Sequence, residues 1–310
     1  MKKAFTKYFF YFLNVALFVA LIFYASKYYS TIVYALQNAN LNYLAYAFGL
    51  FLIIVTICAF KWSILIKIFN REVSFSDLFI IYFISNMYKY IPPKGMNYVM
   101  KYKLCSDYYK HLDGKISSMF AESFAELLTA CLFAVTFLLF LIDYGVWVQV
   151  LGFVALITMV SFLIYPKIFY FVPIKAIKKL ILQFSRIRKT KTFYYSFFLN
   201  MILAILHGFA FYFILFAFDV NLGILLPVVL FYASQFFVFV TLSPAGLGVR
   251  DITLVGALVF FSVDPALAIT VSLMHRVLML SSELVVGLPS LVYKKLVVDP
   301  SARKDIKGSS

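Results

Sequence analysis

KYIPPKGMNYVMK at residues 89–101 is echoed by TLSPAGLGVRD at 241–251, with a proline, one variable residue, a glycine and then methionine or leucine in each. Each stretch falls where an apolar segment breaks, at corresponding points in the two halves of a 310-residue chain. Paired Pro/Gly interruptions of this kind point to a transporter-type site. A broken helix puts free backbone groups and dipole ends at membrane depth, which is tolerated only where they line a cavity.

The surrounding composition agrees. The chain is 64% hydrophobic and 13% charged, with a mean hydropathy of +0.94, which belongs in a bilayer. The longest polar stretches, roughly 99–115 and 167–192, are too short to bury a core of their own. This leaves a single integral membrane domain over 1–310, with any chemistry in or at the membrane.

Apolar runs at 8–25, 43–60, 116–142, 146–165, 193–218 and 266–292 are each long enough for a hydrocarbon core about 30 Å thick. The first follows Lys2, Lys3 and Lys7, so a cleaved leader is the competing reading. The run is longer than a leader's apolar region, and SKYYSTIVYALQNAN after it has no small-residue cleavage pattern. The expected fold is therefore all-α and polytopic, with about six full spans.

Residues 78–100 and 223–263 do not fit as simple spans. Each has an apolar arm, a Pro/Gly break and a second arm, short and basic in the first case. Both read as re-entrant helical hairpins; an ordinary span at 223–242 with a short one at 249–262 is the alternative. On the hairpin reading every Lys and Arg of the 28 except Lys27, Arg250 and Arg276 falls on one side, which the positive-inside rule makes cytoplasmic, with both termini. The net charge of +15 then reflects orientation, with attraction to anionic headgroups as a by-product. It also orients the halves. Residues 43–142 and 193–292 are each helix, hairpin, helix, in opposite senses, the inverted repeat of alternating-access carriers.

The same stretches resemble a known family. KYIPPKGMNYVMK is similar to the "YIPGK…R" motif, and SPAGLGVRD to the "PGGLGxRE" motif, of the flippase-like membrane family that shares its fold with the transmembrane domain of lysylphosphatidylglycerol synthase. AESFAELL at 121–128 and MHRVLMLSSEL at 274–284 resemble that family's Glu-bearing and Arg-bearing helices, so the likeness covers roughly 40–295. Departures are Pro93 for Gly, Lys101 for Arg, Ala245 for Gly and Asp251 for Glu. Charge signs are kept, but Lys101 lacks the planar fork that Arg offers a phosphate. The resemblance implies movement of a modified phospholipid between leaflets, or a role in glycan or polyprenyl-lipid pathways. It does not imply lysyl transfer, because the soluble transferase domain is absent from this sequence.

The residue types suit a lipid phosphate. Helix amino ends after Pro93 and Pro244 supply N–H groups and a positive dipole end. Gly95, Gly246 and Gly248 allow close backbone approach. Lys94, Lys101, Arg250 and Arg276 supply charge. The bland alternatives are a solvated loop for the two lysines and structural ion pairs for the two arginines. Glu122 and Glu126, four apart, share a helix face, and Glu126 falls about 15 Å into its span at 1.5 Å per residue. Glu283 lies two turns beyond Arg276. Acids at that depth are paired or face a wet cavity. The expectation is a network of Arg250, Arg276, Glu122 and Glu126, with His275 and Asp251 as local partners of Arg276 and Arg250. Proton coupling through Glu126 is a further option. His207 reads as an interhelical hydrogen bonder rather than a proton relay.

PIKAIKKLILQFSRIR at 173–188 has apolar and basic faces at helical spacing, so it reads as an interfacial helix tethering the repeats, within a linker at about 167–192, or else as a plain solvated linker. Cys58, Cys105 and Cys131 match no metal spacing. No nucleotide-binding or hydrolase motif is present, and no cofactor or nucleic-acid partner is expected.

Two functions remain. One is a carrier for a phosphate-bearing lipid, such as an aminoacyl or glycosyl phospholipid or a polyprenyl-phosphate-linked saccharide, in the cytoplasmic membrane. The other is an intramembrane transferase, or an accessory subunit presenting lipid to a glycosyltransferase, with Glu122, Glu126 or Asp251 as base. The expected partners are anionic or polyprenyl-phosphate lipids and glycan-assembly or lipid-modifying enzymes. A carboxylate freed from its cation would favour the enzyme.

Overall fold

A computed structural model describes residues 23, 26–67, 73–90, 95–109, 115–140, 190–241, 244–246 and 248–295. The expected span at 146–165 and the amphipathic segment at 173–188 lie outside the described residues, as does the span at 8–25 apart from Phe23.

The described residues are all helical or connecting. They form α1 (Tyr29–Gln37), α2 (Leu41–Lys67), α3 (Phe75–Met87), α4 (Met96–Tyr108), α5 (Lys115–Phe140), α6 (Lys191–Ala217), α7 (Leu225–Val240), α8 (Val249–Phe260) and α9 (Pro265–Tyr293). Short 3₁₀ turns occupy Tyr88–Tyr90 and Pro244–Gly246. Among the described residues four helices are long and apolar enough to cross a membrane: α2, α6, α9 and the Ser118–Phe137 part of α5. Their outward faces carry exposed apolar side chains such as Ile53, Val277, Val285 and Leu288.

Local chemistry sets the boundaries. Asp264 caps α9 by accepting from the Ala266 and Leu267 amides, 2.9 and 3.1 Å, with Pro265 at the first helical position. Two helix ends depart from the sequence expectation. The second arm after the first break runs on to Tyr108, well past residue 100, because Lys101, Leu104 and Cys105 are buried and give the arm an inward face. Likewise α2 does not stop at residue 60. It continues through a buried Lys61 to Lys67, since Lys61 finds partners inside the protein.

The packing has an internal correspondence. α2 packs along α6; α3 packs on α9 as α7 packs on α5; α3 pairs with α4 as α7 pairs with α8. Exchanging α2–α5 for α6–α9 therefore leaves the set of neighbours unchanged, and the two 3₁₀ turns touch each other. Two glycines permit the closest helix approaches. A Cβ on Gly208 would come within 2.4 Å of the Val228 Cα, and one on Gly287 within 2.5 Å of the Met87 Sδ. Small residues of this kind are how apolar helices pack tightly without a hydrophobic driving force.

The largest core cluster joins α2, α6, α7, α8 and α9 through residues such as Phe51, Phe211, Phe231, Leu258 and Val271. A second, around Trp62, Ile81 and Leu104, seats the first broken pair, α3 and α4, against α2; the second broken pair is α7 and α8. Leu65, Ala125 and Phe193 hold α2, α5 and α6 together. Between these clusters lies a cavity.

Candidate functional site

The cavity holds about 250 Å³ and is walled by both broken pairs together with α2, α5, α6 and α9. Among the described residues its lysine, arginine and carboxylate lining is Lys61, Lys89, Lys101 and Arg250 against Glu122, Glu126 and Glu283. One formal positive charge is left over.

Three cations are matched. Lys61, 1% exposed on α2, donates to Glu126 Oε1 at 3.0 Å and to Asn200 Oδ1 at 2.7 Å. Lys101 donates to Glu122 at 2.8 Å, with its ammonium 4.4 Å from the ring centre of Tyr82 and 4.8 Å from that of Trp62. Lys89 pairs with Glu283, whose other oxygen accepts from the Tyr90 hydroxyl at 3.0 Å. Buried charges are stable in such surroundings because each is both paired and hydrogen-bonded.

Arg250 is different. It is 3% exposed, its Nη1 reaches only the Met279 sulfur at 3.6 Å, and its Nε and Nη2 have no hydrogen-bond partner among the described residues. A guanidinium presents five donors in a fixed fork, and here most of that fork is unused beside a cavity.

Its neighbour Asp251 serves the fold. Asp251 accepts from Arg276 Nε at 3.1 Å and Nη2 at 2.5 Å, while Arg276 Nη2 also donates to the Gly246 carbonyl at 3.2 Å. Asp251 Oδ2 further accepts from the Gly248 amide at 3.2 Å. The amino end of α8 is thus capped by its own carboxylate, and Arg276 clamps that end to α9. A carboxylate at a helix amino end is favoured by the dipole, so the N–H groups expected there for a ligand are partly spoken for.

The first broken pair begins its second helix at Gly95, φ +97°, with no side-chain cap, and Gly95, Asn97 and Tyr98 line the cavity. At its far end the Tyr109 hydroxyl donates to Asp77 at 2.6 Å, tying the end of α4 to the start of α3. Burial and that hydrogen bond push the Tyr109 phenol up to about 12, so at neutral pH it keeps the proton it donates.

Several expectations change. The network of Arg250, Arg276, Glu122 and Glu126 does not form: Glu122 and Glu126 hold Lys101 and Lys61, and Arg276 holds Asp251. Asp251 therefore partners Arg276, not Arg250, and Arg276 lies outside the cavity lining. His275 packs edge-on to Phe51, and neither ring nitrogen has a hydrogen-bond partner among the described residues, so it is no partner of Arg276. His207 stacks on Phe231 at 4.8 Å, with its Nδ1 likewise unpartnered, and bridges no helices by a hydrogen bond from that atom. Gly246 and Gly248 both take positive φ and shape the second turn with Pro244. Pro93 and Lys94 lie outside the described residues.

Lys61, Lys89, Asn200 and Gln235 line the cavity without having been expected there. The signal for three of them was present: Lys61, Asn200 and Gln235 each interrupt apolar sequence, and a polar residue inside such a run marks an inward face. Lys89 reads as a loop charge until Glu283 is seen opposite it.

Among the described residues no cluster of His, Cys, Asp or Glu is placed to hold a metal ion. A family model described as the lysylphosphatidylglycerol synthase TM region matches residues 11–287. No curated protein matches the chain.

Proposed function

The chain belongs to the lysylphosphatidylglycerol synthase transmembrane-region family, a multi-pass membrane family with a lipid-related role, and from that premise we propose that it moves a phosphate-bearing lipid between the two leaflets. On this reading the headgroup, a phosphodiester monoanion such as that of an aminoacyl or glycosyl phospholipid or a polyprenyl-phosphate-linked saccharide, enters the cavity and is held by Arg250. The two broken pairs are re-entrant from opposite faces, and the site at their meeting turns opens to each side in turn. The cytoplasmic membrane, with both termini inside, is the matching location. Glycan-assembly or lipid-modifying enzymes are the matching partners.

The observation that carries the reading is the unmatched Arg250. Arg250 is 3% exposed in the first turn of α8, and a buried charge without a bonded counter-charge is costly, so leaving it without one among the described residues is hard to explain unless a ligand supplies the counter-charge. Planar bidentate recognition of phosphate is what its fork provides. The correspondence between α2–α5 and α6–α9 supports a two-state carrier. The uncapped start of α4 adds a positive dipole end to the same wall.

The transferase reading needs a carboxylate held clear of cations to act as base. Glu122, Glu126 and Asp251 are each committed to one, which weighs against it. The headgroup-binding roles of Gly95 and Lys101, and those of Pro93 and Lys94, are part of the proposal. Arg276, Gly246 and Gly248 are assigned to shaping the second turn.

The test is reconstitution of the full chain in phosphatidylcholine vesicles containing fluorescent phosphatidylglycerol, with leaflet exchange read by quenching of the outer leaflet. Exchange that depends on the protein and falls at least tenfold in Arg250→Ala is the expected result. Exchange of equal speed in that variant overturns the reading.

A further inference from the structure

Building on the headgroup reading, we infer that the open groove between α4 and α5 takes the hydrocarbon chain of the same phosphate-bearing lipid, with Tyr98 as the wall between headgroup and tail. The charged cavity holds about 250 Å³, below the roughly 300 Å³ at which pockets for drug-sized ligands begin. A lipid with long chains cannot be swallowed whole, so its tails must leave the cavity sideways. The groove offers about 460 Å³, lined by Tyr98, Val99, Tyr102, Ile116, Met119, Phe120 and Ser123. Its surface is almost wholly apolar.

Three observations tie the groove to that occupant. Tyr98 lines both spaces, and its hydroxyl sits 2.7 Å from that of Ser123 on α5, so one side chain separates the two. Lys101, one turn further along α4, is held by Glu122 of α5, which places the polar end of the boundary on the cavity side. The groove also lies where the internal correspondence is weakest. Each second arm is tied to the next long helix by an ion pair, but α4 meets α5 along a shorter stretch than α8 meets α9. An exposed apolar gap between two helices, parted from a charged cavity by one side chain, fits a molecule that is ionic at one end and apolar at the other.

The experiment uses the full chain in phosphatidylcholine vesicles containing phosphatidylglycerol with a diazirine in one acyl chain, photolysed and mapped by mass spectrometry. Adducts on Val99, Tyr102, Ile116 or Phe120 should fall at least fivefold in Arg250→Ala, because losing the headgroup anchor releases the tail. Adducts near Val285 and Leu288 on α9 should not change. Groove adducts that persist undiminished in Arg250→Ala identify ordinary boundary lipid and overturn the inference.

A second arm separates this inference from the headgroup reading. Ile116→Trp and Val99→Trp fill the groove from positions that are 65% and 58% exposed, so the fold should tolerate both. Each should slow phosphatidylglycerol exchange at least tenfold while calorimetric binding of glycerophosphoglycerol, the headgroup alone, is kept. Normal exchange with the groove filled overturns the tail assignment and leaves the headgroup reading standing. Failure of the wild-type chain to bind glycerophosphoglycerol removes the headgroup reading itself, and this inference with it.

Discussion

The break at 89–101 and the break at 241–251 share a proline-glycine pattern and, in the fold, divide two tasks between them. After the first, α4 starts uncapped at Gly95, and its Lys101 is neutralised by Glu122 of α5. After the second, α8 starts under the carboxylate of Asp251, which is itself held by Arg276 of α9. In each half the second arm pairs with the following long helix, but the signs are reversed: cation on the arm in the first half, carboxylate in the second. The second arm then carries one more charge, Arg250, which no carboxylate hydrogen-bonds among the described residues. Similar local sequence can thus yield an open helix end in one half and an unmatched cation in the other, which together make one wall of a cavity.

The comparison can be broken most severely at the matched pairs. Lys101→Met should destabilise the protein by about 3–5 kcal/mol, because Glu122 is left as an uncompensated buried charge. Lys101→Met with Glu122→Leu should recover most of that loss, since an apolar pair of similar volume replaces an ion pair at little net cost. Thermal unfolding in detergent reads both. If Lys101→Met alone is neutral, the first arm is not held as described. Arg276→Met should behave in the same way through Asp251, with the added loss of the clamp on the Gly246 carbonyl.

Arg250→Met sharpens the contrast, because it should leave unfolding unchanged or raise its midpoint while phosphatidylglycerol exchange is lost. Removing an unmatched cation relieves a cost instead of creating one. A fall in stability as large as that of Arg276→Met would mean that Arg250 is structural.

Smaller effects are expected at the glycines. Gly208→Ala should cost about 1–3 kcal/mol by overpacking, since its Cβ meets Val228 backbone, and Gly287→Ala should cost less, since it meets the flexible end of Met87. Gly95→Ala, at φ +97° with its Cβ in ordinary contact with Tyr98 Cδ2 at 3.9 Å, should cost about 1–2 kcal/mol from backbone conformation alone. Equal costs at all three would remove the distinction between contact and conformation drawn here.

Much of this was legible beforehand, for identifiable reasons. Four of the long apolar runs became α2, α5, α6 and α9 within about two residues of their expected limits, apart from the carboxyl end of α2, because the length of an apolar run is a strong and local signal. The boundary at residue 60 moves to Lys67: the apolar run ends at Lys61, yet Lys61 is buried against Glu126 and Asn200 and the helix continues. The expected charge network failed at its pairings. Helical spacing places Glu122 and Glu126 on one face but says nothing about which cation faces them across the bundle.

The sequence by itself determined that the protein is an α-helical membrane chain, broken at two related proline-glycine sites, with acids and bases too deep to be idle. Hydropathy, backbone breakers and the cost of burying charge are properties of short segments and can be read along the chain. Only the tertiary structure decided that Lys61, Lys89 and Lys101 are matched, that Arg276 clamps a turn, and that Arg250 is left to face the cavity. Ion pairing depends on distances between helices that are remote in sequence, and a charge is free or satisfied only once those helices have packed.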